Sequence, residues 1–310
     1  MSVRIACVEY LNTVPLIEGL DKLAGAELQR AAPSRIVDLL AGGSADIGLV
    51  SLIDAARAPI PLTLLPVGMI GCDGPTMTVR IFSRTPLDQV RRLRADTDSH
   101  TSTALARLLL KKLHGVDVAV VDYDAREDVV IGETGQPADA TLLIGDKVVT
   151  LAPGAADFPY QLDLGEAWKA LTGLPFVYAV WMCRAEDEDN PAVRAAAAAI
   201  DRARRHNAMR MGWIVARRAP ELRWPRDLAE RYLGDLLRYE VGPREREAAQ
   251  IFCNMCADAG LAPPAELRWA DAWPAGWPAA PRRDELAEPP SSARDGVAAH
   301  PGHPGHPAGA

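Results

Sequence analysis

The chain has 310 residues, and at the usual prior of roughly 150 residues per domain this length predicts two globular units. Its 48% hydrophobic and 24% charged residues match ordinary soluble proteins and exclude collagen-like, coiled-coil and wholly disordered chains. The net charge of −7 lacks the basic excess that nucleic-acid-binding proteins usually carry, so we expect a small-molecule partner and no nucleic acid.

The five cysteines are spread along the chain and are odd in number, which is not the pattern of a disulfide framework. A reducing compartment is therefore expected. The first residues enter an apolar strand pattern without a signal-peptide segment, and no stretch reaches about 18 uninterrupted apolar residues. These features predict a cytoplasmic protein without membrane association.

The first third of the chain alternates strand and helix patterns. An apolar strand at 3–8 leads into a polar turn at 9–15. A helix is predicted from Pro33 to the Gly42-Gly43 pair, with proline at its start and glycine at its end. The continuous apolar run at 45–51 then indicates a strand that is covered on both faces. This is the pattern of an α/β lobe.

A similar pattern recurs about 65 residues later. A turn at 73–78 enters a strand at 79–83, and a helix is predicted to open at 98–102 and to close at Gly115. The segment at 138–146 resembles, weakly, the Ala-Asp strand at 45–51. We therefore predict two α/β lobes with a ligand cleft between them, followed by a helix-rich stretch at about 191–262.

The predicted boundaries give a discontinuous first lobe, a central second lobe and a tail. The first lobe takes 1–83 and 181–272, and the second takes 84–180, with hinges expected near 83–85 and 180–181. The Pro/Gly-rich segment at 273–310 is predicted to be a disordered tail. Its three closely spaced histidines have no fixed geometry for a metal ion.

Strong enzyme signatures are missing from the sequence. There is no Gly-rich phosphate loop, no Gly-x-Ser-x-Gly elbow and no His-Glu-x-x-His motif. The Cys253-x-x-Cys256 pair lies in an apolar helical run and fits helix packing, with a redox or metal site as the alternative. His100 stands at a helix start among hydroxyl residues, where it is either a general base or a structural side chain.

Two helix starts carry groups that can hold carboxylates. Ser34 lies at one, and Thr101 and Ser102 lie at the other; both offer N–H groups, hydroxyls and the positive end of a helix dipole. Ordinary N-capping is the alternative for each helix. If both starts face one cleft, they predict a ligand with two negative charges. Asn12 is either a turn former or a donor and acceptor facing the cleft.

Several segments together resemble the chorismate dehydratase family of the futalosine route to menaquinone. They occur in the family's order and span about residues 3–270: YLNTVPL at 10–16, ADIGLVS at 45–51, CDGP at 72–75, TS at 101–102, LLIGD at 142–146, DLGEAW at 163–168 and TGLPFVYAVW at 172–181. The resemblance implies a type II periplasmic-binding-protein-like fold, with chorismate bound between the lobes and no cofactor. It implies conversion of chorismate to 3-[(1-carboxyvinyl)oxy]benzoate and water.

The resemblance also assigns site residues. It implies that Asn12 is catalytic and that Thr78 takes the place of the family's active-site serine, keeping the hydroxyl. Together with the helix starts, it predicts a substrate-binding set of Ser34, Ser51, Thr76, Thr101, Ser102 and Asp146. The chain departs from the family at Thr78 and at His100, where the family usually has arginine.

A base must remove the ring proton of chorismate, and no matched motif supplies a clearly placed base. The alternation of side chains along a strand leaves undecided which way the Glu9 side chain points. We therefore expect the enolpyruvyl carboxylate of the substrate to serve as the base, with the protein supplying geometry and polarisation. Two other functions stay open: a non-catalytic small-carboxylate-binding protein, and the sister enzyme acting on cyclic dehypoxanthine futalosine. The oligomeric state is open as well.

Overall fold

The structure is a computed structural model that describes residues 2–23, 25–125, 129–130 and 138–270. Every described residue belongs to one compact unit of the chain. The predicted disordered tail at 273–310, with its three histidines, lies outside the described residues. Within the described part of the chain, no helix is both long enough and apolar enough to cross a membrane.

The strands form two sheets of six strands each. In chain order they are β1 (Val3–Cys7), β2 (Ala26–Arg30), β3 (Ile47–Ser51), β4 (Leu62–Cys72), β5 (Val79–Ser83), β6 (Arg92–Asp96), β7 (Ala119–Asp124), β8 (Val129–Val130), β9 (Ala140–Ile144), β10 (Tyr160–Asp163), β11 (Phe176–Arg184) and β12 (Leu237–Arg238). The strand order is β12-β4-β11-β3-β1-β2 in the first sheet and β10-β5-β9-β6-β7-β8 in the second.

The two sheets share one plan. In the first, β1 pairs in parallel with β2 and β3, and β11 runs antiparallel to β3. In the second, β6 pairs in parallel with β7 and β9, and β5 runs antiparallel to β9. Strands β3 and β9 therefore occupy corresponding places, which gives a structural basis to the resemblance between 45–51 and 138–146.

The α-helices cover the sheets and include the helix-rich C-terminal stretch that the sequence predicts. In chain order they are α1 (Val14–Ile17), α2 (Pro33–Ala41), α3 (Asp54–Arg57), α4 (His100–His114), α5 (Asp146–Thr150), α6 (Leu164–Thr172), α7 (Pro191–Met209), α8 (Met211–Glu221), α9 (Arg226–Arg231) and α10 (Pro243–Asp258). Short 3₁₀ turns lie at Leu11–Thr13, Leu20–Lys22, Leu87–Gln89 and Ala185–Asp187, and a π-helical turn lies at Tyr232–Leu236.

Local sequence chemistry explains where the predicted helices begin and end. Helix α2 starts with Pro33 at its first position and ends at Gly42, as the sequence indicates. The Ser99 side chain accepts a hydrogen bond from the Ser102 N–H at the start of α4, and Gly115 closes that helix in the left-handed conformation. Strand β3 is buried along its whole length, as its apolar run predicts.

The chain crosses between the sheets earlier than the predicted boundaries at 83/84 and 180/181. Strand β5 pairs with β9 and β10 of the second sheet, and β11 pairs with β3 and β4 of the first. The crossings therefore lie between β4 and β5 and between β10 and β11. The predicted hinge positions fall at the end of one strand and inside another, because apolar patterning does not reveal which sheet a strand joins.

Candidate active site between the lobes

A cavity lies between the two sheets, and both lobes contribute to its wall. Around the first sheet, the polar side chains on the wall come from Tyr10, Asn12, Ser51, Tyr178 and Tyr232. From the crossing segment and the second lobe they come from Thr76, Thr78, Ser99 and Ser102. The remainder of the described wall is apolar residues and glycine. Concave sites of this kind, apolar with a few convergent polar groups, are typical of small-molecule binding.

Among the described residues that line the cavity, none is Asp, Glu, Lys, Arg or His. Hydroxyl groups and one amide provide the side-chain hydrogen-bonding capacity of this wall. An anionic ligand would therefore be bound by neutral donors and by the starts of α2 and α4, whose Pro33, Ser99 and Ser102 reach the wall. Because the wall carries no ionised side chain, it also supplies no strong general base.

Asn12 reaches the cavity from the turn that follows β1. Residues Leu11–Thr13 form a 3₁₀ turn, which the buried Pro15 continues into helix α1. The Asn12 side-chain oxygen accepts a hydrogen bond from the Thr13 hydroxyl at 3.1 Å. The turn therefore places the Asn12 side chain at the cavity wall, one of the two roles that the sequence left open.

Thr78 is completely buried and shares a hydrogen bond with Tyr232, with 2.5 Å between the two hydroxyl oxygens. Tyr232 lines the same wall as Asn12. Its ring stacks on Trp224, with centroids 5.0 Å apart and ring planes at 9°. Burial raises the pKa of Tyr232, so its hydroxyl stays protonated at neutral pH. The phenol is thus bonded to one predicted catalytic residue and lies on the same wall as the other.

Thr76 lies on the same wall, in the segment between β4 and β5, which side-chain hydrogen bonds hold in place. Its hydroxyl is 2.7 Å from the Tyr178 hydroxyl and 3.3 Å from the Cys72 sulfur. The Asp163 carboxylate accepts the backbone N–H groups of Thr76 at 2.9 Å and Met77 at 2.6 Å. Met77 has a φ of 70°, which is unfavourable for a non-glycine residue, and the Asp163 bonds hold this conformation in place.

Asp163 also caps helix α6, because it accepts the backbone N–H groups of Gly165 and Glu166. The two crossings between the sheets are therefore joined by one buried carboxylate. Gly165 has no room for a side chain, since a Cβ atom there would lie 2.1 Å from the Thr76 hydroxyl oxygen. The sequence shows the Asp and Gly of the DLG segment but does not show that they support a threonine 87 residues away.

With this geometry established, comparison with known proteins identifies the relatives of the chain. A sequence model of a family described as menaquinone biosynthesis matches residues 3–258. The chain belongs to the menaquinone biosynthesis family. Chorismate dehydratase of Thermus thermophilus is 31% identical over 259 residues, which cover 79% of this chain and 92% of that protein.

Solved structures show the fold of this menaquinone biosynthesis protein. A protein of Archaeoglobus fulgidus matches with a TM-score of 0.61 at 16% identity, covering 84% of this chain and 98% of the other. The alkanesulfonate-binding protein of Xanthomonas axonopodis pv. citri matches with a TM-score of 0.60 at 14% identity, covering 84% and 94%. The fold is that of the periplasmic binding proteins, as the sequence resemblance implied.

The structure brings together five of the eight predicted site residues of this family member. Asn12, Ser51, Thr76, Thr78 and Ser102 all line the cavity. Ser51 ends the buried strand β3, and the Ser102 hydroxyl oxygen lies 2.9 Å from that of Ser99. The predicted helix start of α4 therefore reaches the cavity through Ser99 and Ser102.

The other three predicted residues do not line the cavity. The Thr101 hydroxyl accepts the backbone N–H of Ile53 at 3.1 Å, which joins α4 to the first lobe. Asp146 accepts the Leu11 N–H at 3.3 Å and the Trp224 ring N–H at 3.0 Å. Ser34 follows the wall residue Pro33 and is half-exposed. Successive residues of a helical turn point in different directions, and sequence spacing alone did not show which one faces the cavity.

The two side chains considered as a protein base both lie away from the cavity wall. Glu9 is exposed and forms an ion pair with Arg30. His100 lies with its Nδ1 atom 2.9 Å from the Asp54 carboxylate of the first lobe, and this hydrogen bond raises the pKa of His100. His100 therefore takes part in an ion pair between the lobes.

Cys253 and Cys256 are free, fully buried thiols inside α10. Burial raises the pKa of each to about 12, which leaves them as unreactive thiols at neutral pH. Within the part of the chain that the structure describes, no group of three or more His, Cys, Asp or Glu side chains is placed to hold a metal ion. The environment of the pair is that of packed helix residues.

Three cavity tyrosines and one buried ionic cluster were not predicted from the sequence. Tyr10, Tyr178 and Tyr232 are distant in sequence and meet only in the folded chain. Lys147 lies between the carboxylates of Asp96 and Asp98 and is buried. Tyr10 opens the matched segment at 10–16 and Lys147 directly follows the one at 142–146, so these positions were the available signal.

Proposed function

We propose that the chain is a chorismate dehydratase of the futalosine route, which converts chorismate to 3-[(1-carboxyvinyl)oxy]benzoate and water. The observation that carries the proposal is the cavity wall, where Asn12, Thr78 and Tyr232, the hydroxyl partner of Thr78, lie together without an ionised side chain among the described lining residues. The 31% identity with the Thermus thermophilus chorismate dehydratase supports the same assignment.

The wall suits a substrate that brings its own base. The enolpyruvyl carboxylate takes the ring proton at the carbon that carries the enolpyruvyl ether. The carboxylic acid so formed passes this proton to the hydroxyl on the adjacent carbon, which leaves as water. The electron pair of the broken C–H bond completes the aromatic ring, so the products together contain every atom of chorismate. Buried tyrosine hydroxyls cannot replace the base, because burial raises the pKa of both Tyr178 and Tyr232.

The protein contributes orientation and polarisation in this mechanism. Asn12 presents an amide that donates to the carboxylate or to the leaving hydroxyl, and Thr78 donates to a substrate oxygen. Tyr232 holds the Thr78 side chain in place through its protonated hydroxyl. The apolar remainder of the wall excludes water, which strengthens these hydrogen bonds.

We assign the protein to the cytoplasm as part of the same proposal. All five cysteines are free in the structure, although Cys253 and Cys256 lie close together in one helix. Free thiols are the usual state in a reducing compartment.

The proposal is tested with purified protein and chorismate. We expect the wild-type protein to form the aromatic product, which is followed by absorbance and identified by mass. Replacing Asn12 with alanine should slow turnover by about 10²- to 10³-fold and leave much of the product binding, since one preorganised donor is lost. Glu9→Gln and His100→Gln are the matched controls, because neither residue lines the cavity.

Three results would reject parts of the proposal. A wild-type protein that leaves chorismate unchanged, but binds small carboxylates in calorimetry, is a binding protein. Turnover of cyclic dehypoxanthine futalosine in place of chorismate identifies the sister enzyme. Abolished turnover with retained binding in Glu9→Gln or His100→Gln replaces the substrate carboxylate with a protein base.

A further inference from the structure

The second lobe contains a buried cluster of two carboxylates and one ammonium group. The Lys147 nitrogen lies 2.6 Å from Asp96 and 2.7 Å from Asp98. The three side chains are 5%, 1% and 9% exposed, in the order Lys147, Asp96, Asp98. Asp96 also accepts the backbone N–H of Asp98 at 3.1 Å, which fixes the two carboxylates relative to each other. Buried charges persist when they are paired and hydrogen-bonded in this way.

Tyr10 reaches this cluster from the first lobe. Its hydroxyl donates a hydrogen bond to the Asp98 carboxylate oxygen that also contacts Lys147. The Tyr10 ring packs on Gly145, where a Cβ atom would lie 3.3 Å from the ring, and the Lys147 nitrogen is 5.8 Å from the ring centroid. The side chain therefore spans the gap between the lobes, and its bond to an ionised acceptor is stronger than a neutral one.

The Leu11–Thr13 turn is attached to the second lobe through the two residues that precede Asn12. The Tyr10 side chain binds Asp98, and the Tyr10 carbonyl accepts the Thr13 N–H at 3.0 Å, which closes the turn around Asn12. The Leu11 N–H donates to Asp146, the neighbour of Lys147. The amide that the proposed mechanism needs is carried by the first lobe, but residues of the second lobe hold its turn.

We infer that Tyr10 is a positioning residue, whose hydroxyl is held by the Asp96, Asp98 and Lys147 cluster and fixes the Asn12 amide at the cavity when the lobes are together. This inference rests on the proposed function for its effect on turnover. Its effect on the turn itself does not depend on which substrate is bound. Tyr10 acts through Asn12, and its hydroxyl is bonded to the Asp98 carboxylate of the second lobe.

The test is Tyr10→Phe, which removes the hydroxyl and keeps the ring that packs on Gly145. We expect kcat with chorismate to fall by about 10- to 100-fold, because misplacing a positioned group slows the chemical step. The Kd for the aromatic product should stay within about threefold of the wild-type value. Hydrogen-exchange protection of the Leu11 and Thr13 amides should fall about tenfold. A loss of packing elsewhere in the protein would not produce this local effect.

Tyr239→Phe is the matched control. Its hydroxyl is buried and has no hydrogen-bond partner in the described structure, so its removal should leave kcat and the protection of the turn unchanged. Combining Tyr10→Phe with Asp98→Asn forms a double-mutant cycle. If Tyr10 acts through Asp98, adding Asp98→Asn to the Tyr10→Phe variant should lower kcat by less than threefold.

The outcomes separate the inference from the proposed function. Wild-type protein without dehydratase activity rejects the proposed function, and amide exchange in Tyr10→Phe then decides the role of Tyr10 alone. A wild-type kcat in Tyr10→Phe, or unchanged protection of the turn, overturns the inference. A product Kd that rises as much as kcat falls also overturns it, because Tyr10 would then be a binding residue.

Discussion

At the residue scale, the cavity combines hydroxyl groups that differ in their surroundings. Tyr232 is buried, stacked on Trp224 and bonded to Thr78, so its proton and its ring position are both fixed. Tyr178 is paired with Thr76 in the same manner, and burial raises its pKa as well. Because each phenol stays protonated, the wall offers hydrogen-bond donors at neutral pH. Such donors complement an anionic ligand without the desolvation cost of burying a counter-ion.

Substitutions of Thr78 test the role of its hydroxyl. Thr78→Val keeps the shape of the side chain and removes the hydroxyl, so turnover should fall by at least about tenfold as a donor to the substrate is lost. The Tyr232 hydroxyl then loses its hydrogen bond to Thr78, at a cost of about 1 kcal/mol in the free energy of unfolding. Thr78→Ser is the control, with turnover expected within about threefold of wild type. Wild-type kcat in Thr78→Val would show that the hydroxyl serves only the fold.

At the element scale, corresponding strands use the same chemistry. Asp46 stands just before β3 and accepts the backbone N–H of Arg4 in β1. Asp139 stands just before β9 and accepts the backbone N–H of Arg92 in β6. In each lobe an aspartate thus secures the start of the neighbouring parallel strand. The Ala-Asp pair that made the two segments look alike has one structural role, and this role explains why so short a resemblance marked two equivalent strands.

The tight contact at Gly165 predicts a large effect from a single methyl group. In Gly165→Ala, the new Cβ atom would lie 2.1 Å from the Thr76 hydroxyl oxygen and 2.6 Å from both the Cys72 sulfur and the Gly74 carbonyl oxygen. Because two of these groups belong to the tethered crossing, we expect a loss of about 2–4 kcal/mol in the free energy of unfolding and a displaced Thr76. Chemical denaturation measures the first effect.

Gly212→Ala is the matched control for this substitution. Gly212 lies in α8, and a Cβ atom there would have no heavy atom within 4 Å outside the helix and its neighbours. Alanine favours helix over glycine, so the control should be neutral or should gain up to about 1 kcal/mol. Equal stability of the two variants would mean that α6 shifts freely and does not set the position of Thr76.

At the scale of the whole molecule, hydrogen bonds join the lobes around the cavity. Thr101 binds Ile53, Asp146 binds Leu11, and His100 pairs with Asp54. In the first two pairs the donor is a backbone N–H group. The third contains a histidine, so part of the free energy that holds the lobes together depends on protonation.

The His100 pair predicts a pH-dependent stability. The hydrogen bond to Asp54 raises the pKa of His100 above 6.5, with burial and Arg57 opposing and Asp38 reinforcing the shift. Because the pKa of His100 is higher in the folded protein than in the unfolded protein, protonation of His100 stabilises the fold. This stabilisation is fully present below the pKa of the unfolded state and is lost as the pH rises through the pKa of the folded state. With His100 38% exposed, the contribution should not exceed about 1 kcal/mol.

Comparing Tm of wild-type and His100→Gln protein across pH checks this prediction. The wild-type advantage should be largest near pH 6, below the raised pKa of His100, and should shrink by pH 9. His114→Gln, at the other end of the same helix, controls for general loss of histidine charge. A Tm difference that is the same at both pH values would contradict a titrating ion pair.

Much of the fold was predictable from local sequence chemistry. The strand at 79–83 and the helix from His100 to His114 were predicted within a few residues, since caps, glycines and apolar runs act over short distances. Apolar patterning did not locate the two crossings between the sheets, because β5 and β11 carry the same apolar pattern as strands of either sheet. Which partner such a strand takes depends on register and hydrogen bonding across the whole lobe.

For the site, the sequence by itself determined the turn around Asn12, the threonines of the crossing segment and the capped start of α4, because each follows from a short motif. Only the tertiary structure showed that Tyr10, Tyr178 and Tyr232 complete the wall, and that Thr101 and Asp146 face the other lobe. A motif fixes backbone geometry over a few residues, whereas the direction of a side chain and its partners depend on packing between segments far apart in the chain.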